Sequence, residues 1–324
     1  MWNSNNTTTN VTTNTPSLPH ELYDFSLNYI TIFIVILILL SNIPLSYLLI
    51  STRKLRQQHS VRFFLNLQAC HILTAIVYSI IVHHYESLES TNAHTIFILG
   101  VNLAYGLLLE MFLFIAVYTL DRLLAIKYPY RYQAITDKQV ASAIVLLWIP
   151  GPVFIIVASV LNADYEDMMI IIIVLISLGA TVLTLSNIMV YCIARKHAQA
   201  IKNETRVQAG IRNDGTSKPS DHHEGKILKS TYVCLCIVVS FIACWLPIFL
   251  HNVILLSTGN EVNVNTNNIC EIVARCNSVF DPVLFVVFRR DVKQVLTGLL
   301  RRRRQQTHNI VFSNNRVTIQ TSDI

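Results

Sequence analysis

Long uncharged apolar runs alternate with short polar segments along this chain. Six runs reach the roughly 20 residues that a helix needs to cross the hydrocarbon core of a bilayer: Phe25–Ile50, Phe63–Val82, Thr95–Leu120, Val140–Leu161, Met168–Ala194 and Ser230–Leu256. A seventh, about Asn268–Phe288, carries Glu271, Arg275 and Asp281 and is the weakest by hydropathy, yet its length and flanks fit a span. Backbone in lipid must satisfy its own hydrogen bonds, so the runs predict helices rather than open strands. Five are rich in Ile, Leu and Val without turn punctuation at strand length, which argues against a barrel. The predicted fold class is all-α, a seven-helix membrane bundle with a short amphipathic cytoplasmic helix. The boundaries place an outer tail at 1–24 and the bundle at 25–288, with spans at about 25–50, 63–84, 95–120, 140–161, 167–195, 229–256 and 268–288. A membrane-surface helix at 289–304 and a cytoplasmic tail at 305–324 complete the chain.

Charge orients the bundle. Of the 25 Lys and Arg, all but Arg275 fall in four segments. Arg53, Lys54, Arg56 and Arg62 follow the first span, and Arg122, Lys127, Arg131 and Lys138 the third. The remainder lie in Arg195–Lys229 after the fifth and Arg289–Arg316 after the seventh. Positive residues stay on the cytoplasmic side, so the N terminus is predicted outside and the C terminus inside, in a multi-pass protein of the plasma membrane. Composition agrees: 52% of the 324 residues are hydrophobic and 14% charged, against about 25% charged in soluble proteins. Two soluble globules, disorder and a disulfide scaffold are thereby excluded.

The polar stretch Met1–His20 has no basic start and no early apolar core, so no cleavable signal is predicted there. Asn5, Asn6 and Asn10 head glycosylation sequons that such an outer tail would expose. The sequon at Asn203 lies on the cytoplasmic side and is predicted silent. None of the seven cysteines falls in a long outer loop, so an outer disulfide staple is not expected.

Several short motifs sit at fixed places on the spans. The inner end of the third reads Asp121-Arg122-Leu123, then Ala125-Ile126-Lys127-Tyr128-Pro129, with Tyr130 next. The sixth contains Cys244-Trp245-Leu246-Pro247, and the seventh ends Asn277-Ser278-Val279-Phe280-Asp281-Pro282-Val283-Leu284-Phe285. Ser41-Asn42 and Trp148 mark the first and fourth. Asp121 and Arg122 stand at the cytoplasmic mouth, where an arginine can exchange an intramolecular partner for groups on an entering protein; a snorkelling interfacial arginine is the competing reading. Pro247 and Pro282 each remove a helix hydrogen bond and kink their spans, a geometry suited to a bistable bundle.

In this order on seven spans, the motifs resemble the rhodopsin-like G-protein-coupled receptors over about residues 25–300. The resemblance implies that the sixth span swings outward, that Arg122 contacts a heterotrimeric G protein, and that Asp121, Tyr130, Trp245, Pro247, Asp281 and Pro282 take part in coupling and switching. Arrestin is a further partner it implies. Departures narrow the branch. The outer cysteine of the third span is replaced by Phe97, the loop Asn162–Asp167 has no Cys and about six residues, and the fifth span has no Pro. Melanocortin receptors share these absences, along with strings matching Cys244–His251 and Cys276–Pro282. The chain is therefore closest in pattern to the melanocortin, adenosine, cannabinoid and lysophospholipid group. Other departures resist transfer: His71 or Ile72 stands where an acid is usual, and Asn187 and Phe285 replace tyrosines. Ala104 stands where amine receptors hold Asp, and Arg275 where an opsin holds its lysine, so amine and retinal ligands are disfavoured.

Ionisable residues inside spans cost roughly 2.5–3.5 kcal/mol on insertion scales and point to function. Glu271 and Arg275 are four apart and share a helix face. Two readings stay open: they line an outward cavity with Asn102, Tyr105, Trp245, Phe249 and Asn252, or they form a structural clamp. Glu110 reads as protonated and inert. The outer segments hold acids such as Glu86, Glu89 and Asp164 but no Lys or Arg, which suits a cationic ligand and equally completes the positive-inside bias. His83, His84 and His94 fit no standard metal spacing. Ala198–Lys226 reads as a flexible loop with phosphorylatable Ser217 and Ser220. Val292, Val295, Leu296, Leu299 and Leu300 recur at helical spacing beyond the seventh span, and Arg301–Arg304 suits anionic lipid rather than nucleic acid. Ser322 and Ile324 end the chain as a PDZ-type ligand.

A seven-span receptor for an extracellular ligand accounts for topology, motifs and tail together. The ligand's identity does not follow; the short second outer loop suits a peptide, and a lipid entering between helices stays open. A non-signalling or decoy receptor is the alternative, given Asn187 and Phe285. A transporter would show internal repeats, and an enzyme a catalytic constellation; neither is found. No cofactor, metal or catalytic residue is required.

Overall fold

The computed structural model describes residues 20–85, 92–160, 165–211, 221–258 and 264–299, together with 301 and 305. The sequons at Asn5, Asn6 and Asn10, Ser217, Ser220 and the Ser322–Ile324 end lie outside them. Span one is His20–Ser51, span two His59–Tyr85, span three Asn92–Lys127, span five Tyr165–Ile211, span six Asp221–Thr258 and span seven Val264–Phe288. Span four comes in two pieces, Asp137–Leu147 and Pro150–Val160. Short helices Arg53–Arg56 and Pro129–Gln133 turn the chain at the inner side, and a helix over 290–299 follows span seven. No strand occurs among the described residues. Six of the helices are long and apolar enough to cross a membrane; span seven, with its polar interior, falls short of that measure.

One expectation is corrected. The segment 198–226 is not a loop throughout: span five continues as helix to Ile211 and span six begins at Asp221. The reason is legible after the fact. Ala198, Gln199, Ala200, Lys202, Glu204, Arg206, Gln208 and Ala209 are good helix formers with no proline between them.

Span three is the axis. Spans two, four, five and six all lie against it, while spans one, two and seven, and then six and five, close the ring around it. The surface is turned inside out relative to a soluble protein. Phe33, Leu40, Tyr47, Val160, Leu178 and Ile254 are exposed, whereas Asn42, Gln68, His71, Glu110, Asp121, Asn277 and Asp281 are buried. Apolar side chains on six membrane-length helices face lipid, and the polar groups turn inward, where other helices can pair them. The chain is a multi-pass membrane protein.

The apolar core runs along the inner half. Phe64 of span two stacks on Phe285 of span seven at 3.7 Å, nearly parallel, with Tyr118 of span three at 6.5 Å from Phe285. Phe112 meets Phe241 edge-on at 4.6 Å, and Phe241 stacks with Trp245 at 5.8 Å. Such ring pairs each contribute about 0.5–1.5 kcal/mol beyond their buried area.

Two prolines leave backbone groups that other spans must answer. Pro282 has no N–H, so the carbonyl of Ser278 one turn earlier loses its helix partner. Asn42 of span one donates its amide to that carbonyl at 2.9 Å. Pro150 restarts span four after a break at Trp148 and Ile149. The next N–H, that of Gly151, donates to Glu110 Oε1 of span three at 2.7 Å. Glu110 is therefore not inert; it caps a helix start inside the membrane. Nearby, Trp148 Nε1 donates to Asn66 of span two at 2.9 Å. The first start of span four, at Asp137, is closed differently, by a reciprocal capping box between Thr136 and Gln139.

Gly151 permits the cap. A Cβ there would lie 2.6 Å from Glu110 Oε1 and 3.0 Å from the carbonyl of Gly106, which would drive the carboxyl off the N–H. Gly151→Ala is therefore expected to cost about 1–3 kcal/mol, measured as a lower thermal midpoint of the solubilised protein. An unchanged midpoint would show that Glu110 does not hold the break.

Candidate functional site

At the inner end of span three, Asp121 is buried and held from two sides. Arg122 donates to its Oδ2 from Nη2 at 2.6 Å and Nε at 3.2 Å. Tyr132, on the helical turn that follows, donates its hydroxyl to Oδ1 at 3.0 Å. Burial pushes the Tyr132 phenol up to about 12, with the Asp121 carboxylate acting in the same sense, so the phenol remains a neutral donor to the acid. His59 at the foot of span two lies 5.4 Å from the Tyr132 ring. Arg62 pairs with Asp137 at 2.8 Å, but Asp137 is 76% exposed, and such a pair contributes little in solvent. Tyr130 stands out from the same turn, 88% exposed, while Lys127 and Arg131 lie over the ring of Tyr128.

A second cluster closes the inner side between span two and the helix over 290–299. Arg289 donates to Asp291 from Nη2 at 2.6 Å and Nε at 3.1 Å, to Gln58, and to Ser60 at 3.3 Å. Gln58 returns a bond to Asp291 at 3.2 Å. The guanidinium also lies 4.9 Å from the ring of Phe285. Burial works against the Asp291 charge, but the Arg289 and Gln58 bonds and the Val292 N–H more than offset it and hold the carboxyl below the usual range. Val292 is fully buried, and Val295 and Leu296 pack on the same core, so this helix turns its apolar face inward and up.

Midway through the bundle, the two kinked spans meet different surroundings. Trp245 and Phe249, one turn apart around Pro247, sit half-buried against the main core. Asp281, just before Pro282, is fully buried and meets His71 Nε2 at 3.1 Å and the Asn277 amide at 3.2 Å.

In the outer half, Arg275 donates to Glu271 at 2.5 Å, with the arginine 11% and the glutamate 33% exposed. Asn267 donates to the same carboxylate at 3.1 Å. The guanidinium lies 3.6 Å from the ring centroid of Tyr78 in span two, a cation–π geometry. Arg275 is thus clamped from two sides, and Glu271 is the charge that faces outward. Asn102 and Asn252 are buried. Tyr105 is half-buried and lines a small cleft with Leu108, Leu109, Phe112 and Leu175.

Of the residues singled out from sequence, the structure joins Asp121 to Arg122 and Glu271 to Arg275, and stacks Trp245 within an aromatic row. It adds residues that sequence reading missed: Tyr132, Gln58, Asp291, Tyr78 and the bond made by His71. A buried ionisable group in an apolar run would have pointed to His71; nothing comparable marks Tyr78 or Gln58. Among the described residues, no three His, Cys, Asp or Glu side chains gather as metal ligands.

Comparison with known proteins bears on this arrangement. Residues 154–285 match the family model of the 7 transmembrane receptor (rhodopsin family). The chain is similar to melanocortin receptor 3 of Rattus norvegicus, 28% identical over 197 residues, which is 55% of this chain and 54% of the relative. It is also similar to melanocortin receptor 4 of Danio rerio, 27% identical over 182 residues, 54% and 51% of the two chains. The aligned part spans about half the length of these curated relatives.

The depressed Asp291 carboxyl has a testable sign. Its charge stabilises the fold fully above the ordinary carboxylate value, about 3.9, and that contribution is lost only as pH falls below this towards the depressed folded value. Asp291→Asn should lower the thermal midpoint at pH 7, and the gap from wild type should begin to close only below about pH 4. A gap that stays constant as the pH is taken down through the acid range until the native carboxyl is protonated would rule out the charge as the cause.

Proposed function

We propose that the chain is a rhodopsin-like seven-transmembrane receptor related to the melanocortin group, a reading supported by the similarities above, and that it binds an extracellular ligand and activates heterotrimeric G proteins. The observation that carries this reading is the inner mouth. Arg122 holds a buried acid that is also bonded to Tyr132, next to two spans kinked by Pro247 and Pro282. An entering protein that takes the Nε and Nη2 donors draws the guanidinium from Asp121, which makes partner binding and span movement interdependent. In this reading Asp121, Arg122 and Tyr130 form the coupling face, Trp245 and Pro247 the upper hinge, and Asp281 and Pro282 the lower one.

The receptor sits in the plasma membrane with its N terminus outside. The outer opening is bounded by Glu271, Arg275, Asn102, Tyr105, Phe249 and Asn252, and its carboxylate faces the ligand. A peptide suits the short second outer loop. The melanocortin name belongs to the relatives; this chain places Phe97 and Val101 where those receptors carry acids of the third span, so the same ligand does not follow. On the inner side, arrestin, anionic lipid at Arg301–Arg304 and a PDZ domain at Ser322–Ile324 are the further partners.

The second reading, a receptor that binds without signalling, is favoured by Phe285. Its ring is fully buried and stacked on Phe64, with no hydroxyl to offer a new partner when span seven moves. Ligand-free nucleotide exchange on a panel of G proteins in membranes decides between the two. Exchange above empty membranes that Arg122→Ala removes is the expected result and names the partner class. If neither form differs from empty membranes on any G protein, the non-signalling reading replaces this one.

A further inference from the structure

We infer that His71 is a positioning residue: it grips span seven at Ser278 and Asp281, in the turn that leads into Pro282, and holds the bundle in its closed arrangement. This rests on the receptor reading above for its consequence, but not for its geometry. His71 lies on span two within an otherwise apolar run, and its side chain, like that of Asp281, has no exposure. A lone ionisable group there would be costly; both ring nitrogens are engaged. Nε2 meets Asp281 Oδ2 at 3.1 Å and Nδ1 meets Ser278 Oγ at 2.8 Å. With Nε2–H donating to the carboxylate, a bare Nδ1 accepts the serine hydroxyl, so one ring satisfies both partners.

The two partners are not arbitrary places on span seven. Asp281 immediately precedes Pro282, and Ser278 is the residue whose carbonyl Pro282 leaves without a helix bond. Asn42 of span one takes that carbonyl at 2.9 Å, and Asn277 donates to the same Asp281 oxygen that His71 meets. The kink is therefore pinned by spans one and two together. Around it, Asn42 Oδ1, Gln68 Nε2, Asn277 Oδ1 and Asp281 Oδ1 are buried without a protein partner. That leaves a polar chamber whose remaining groups water can bridge, but whose direct links between spans two and seven are the two bonds of His71.

Pulling span seven from span two separates His71 from Asp281 in a medium where an unpaired charge is poorly tolerated. The bond thus opposes movement of the lower hinge and favours the closed state. Other charged or thiol groups near the chamber are Glu110 on span three, Cys70 on span two, Cys244 on span six and Cys276 on span seven, whereas the side chains that bond to Asp281 are His71 and Asn277.

The test is a double-mutant cycle on the full chain. His71→Ala, Asp281→Ala, the double variant and the reciprocal swap His71→Asp with Asp281→His are compared by thermal midpoint in detergent and by ligand-free nucleotide exchange. The expected result is a lower midpoint for each single variant, a double variant no worse than the poorer single, and recovery in the swap. Exchange should rise about tenfold in His71→Ala, the factor a modest shift between two states produces, and return towards wild type in the swap. Additive losses with no recovery would overturn the inference. So would a coupled cycle in which His71→Ala lowers exchange instead of raising it. A coupled cycle with recovery in the swap, and no exchange in any form, would uphold the grip on span seven and count against the signalling reading alone. If His71→Ala does not fold, His71→Gln, which keeps a donor, carries the same comparison.

Discussion

Inside hydrocarbon a polar group without a partner costs several kcal/mol, and that one constraint organises this bundle. Three places where the chain breaks the rule locally are repaired from another helix. Pro282 frees the carbonyl of Ser278, and Asn42 takes it. Pro150 leaves span four to restart, and Glu110 takes the N–H of Gly151. Asp281 would be an isolated carboxyl, and His71 meets it. None of these repairs is local in sequence.

The repairs also explain why kinks become joints rather than weaknesses. A proline in a solitary helix would bend it freely. Here the carbonyl freed by Pro282 is tied to Asn42 and the adjacent Asp281 to His71, so a bend in span seven has to break bonds to spans one and two at the same time. Bistability follows when several such bonds give way together instead of one by one. The inner side adds a stacked pair, Phe64 on Phe285, and the Arg289–Asp291–Gln58 cluster beyond it. Span seven is thus tied to span two in the middle of the membrane and again at its C-terminal end.

The outer half is built on a looser principle. Arg275 is compensated by Glu271 and by the face of Tyr78, yet the carboxylate remains partly open. That asymmetry gives the opening a negative character even though the pair itself is neutral. It agrees with the acids of the outer segments and with the absence of Lys or Arg from them.

The all-helical class, the membrane-length runs and the asymmetry of basic residues were legible in the chain because hydropathy and charge act residue by residue, whatever the helices pack against. The motifs around Asp121, Trp245 and Asp281 were legible for a similar reason, since adjacent residues carry them. Much else was not. Span seven is read from sequence as the weakest run because Glu271, Arg275 and Asp281 lie in it, and only the packed bundle shows that all three are paired. The helical extension of span five to Ile211 depended on propensity that Gly, Asn and Ser further along the segment obscured. Glu110, His71, Tyr78 and Gln58 take their meaning from residues 41, 210, 197 and 233 positions away. Periodicity tells which face a side chain lies on, not which helix will stand opposite it. That choice is made by tertiary packing, because only when the spans come together does each buried polar group find, or fail to find, its partner.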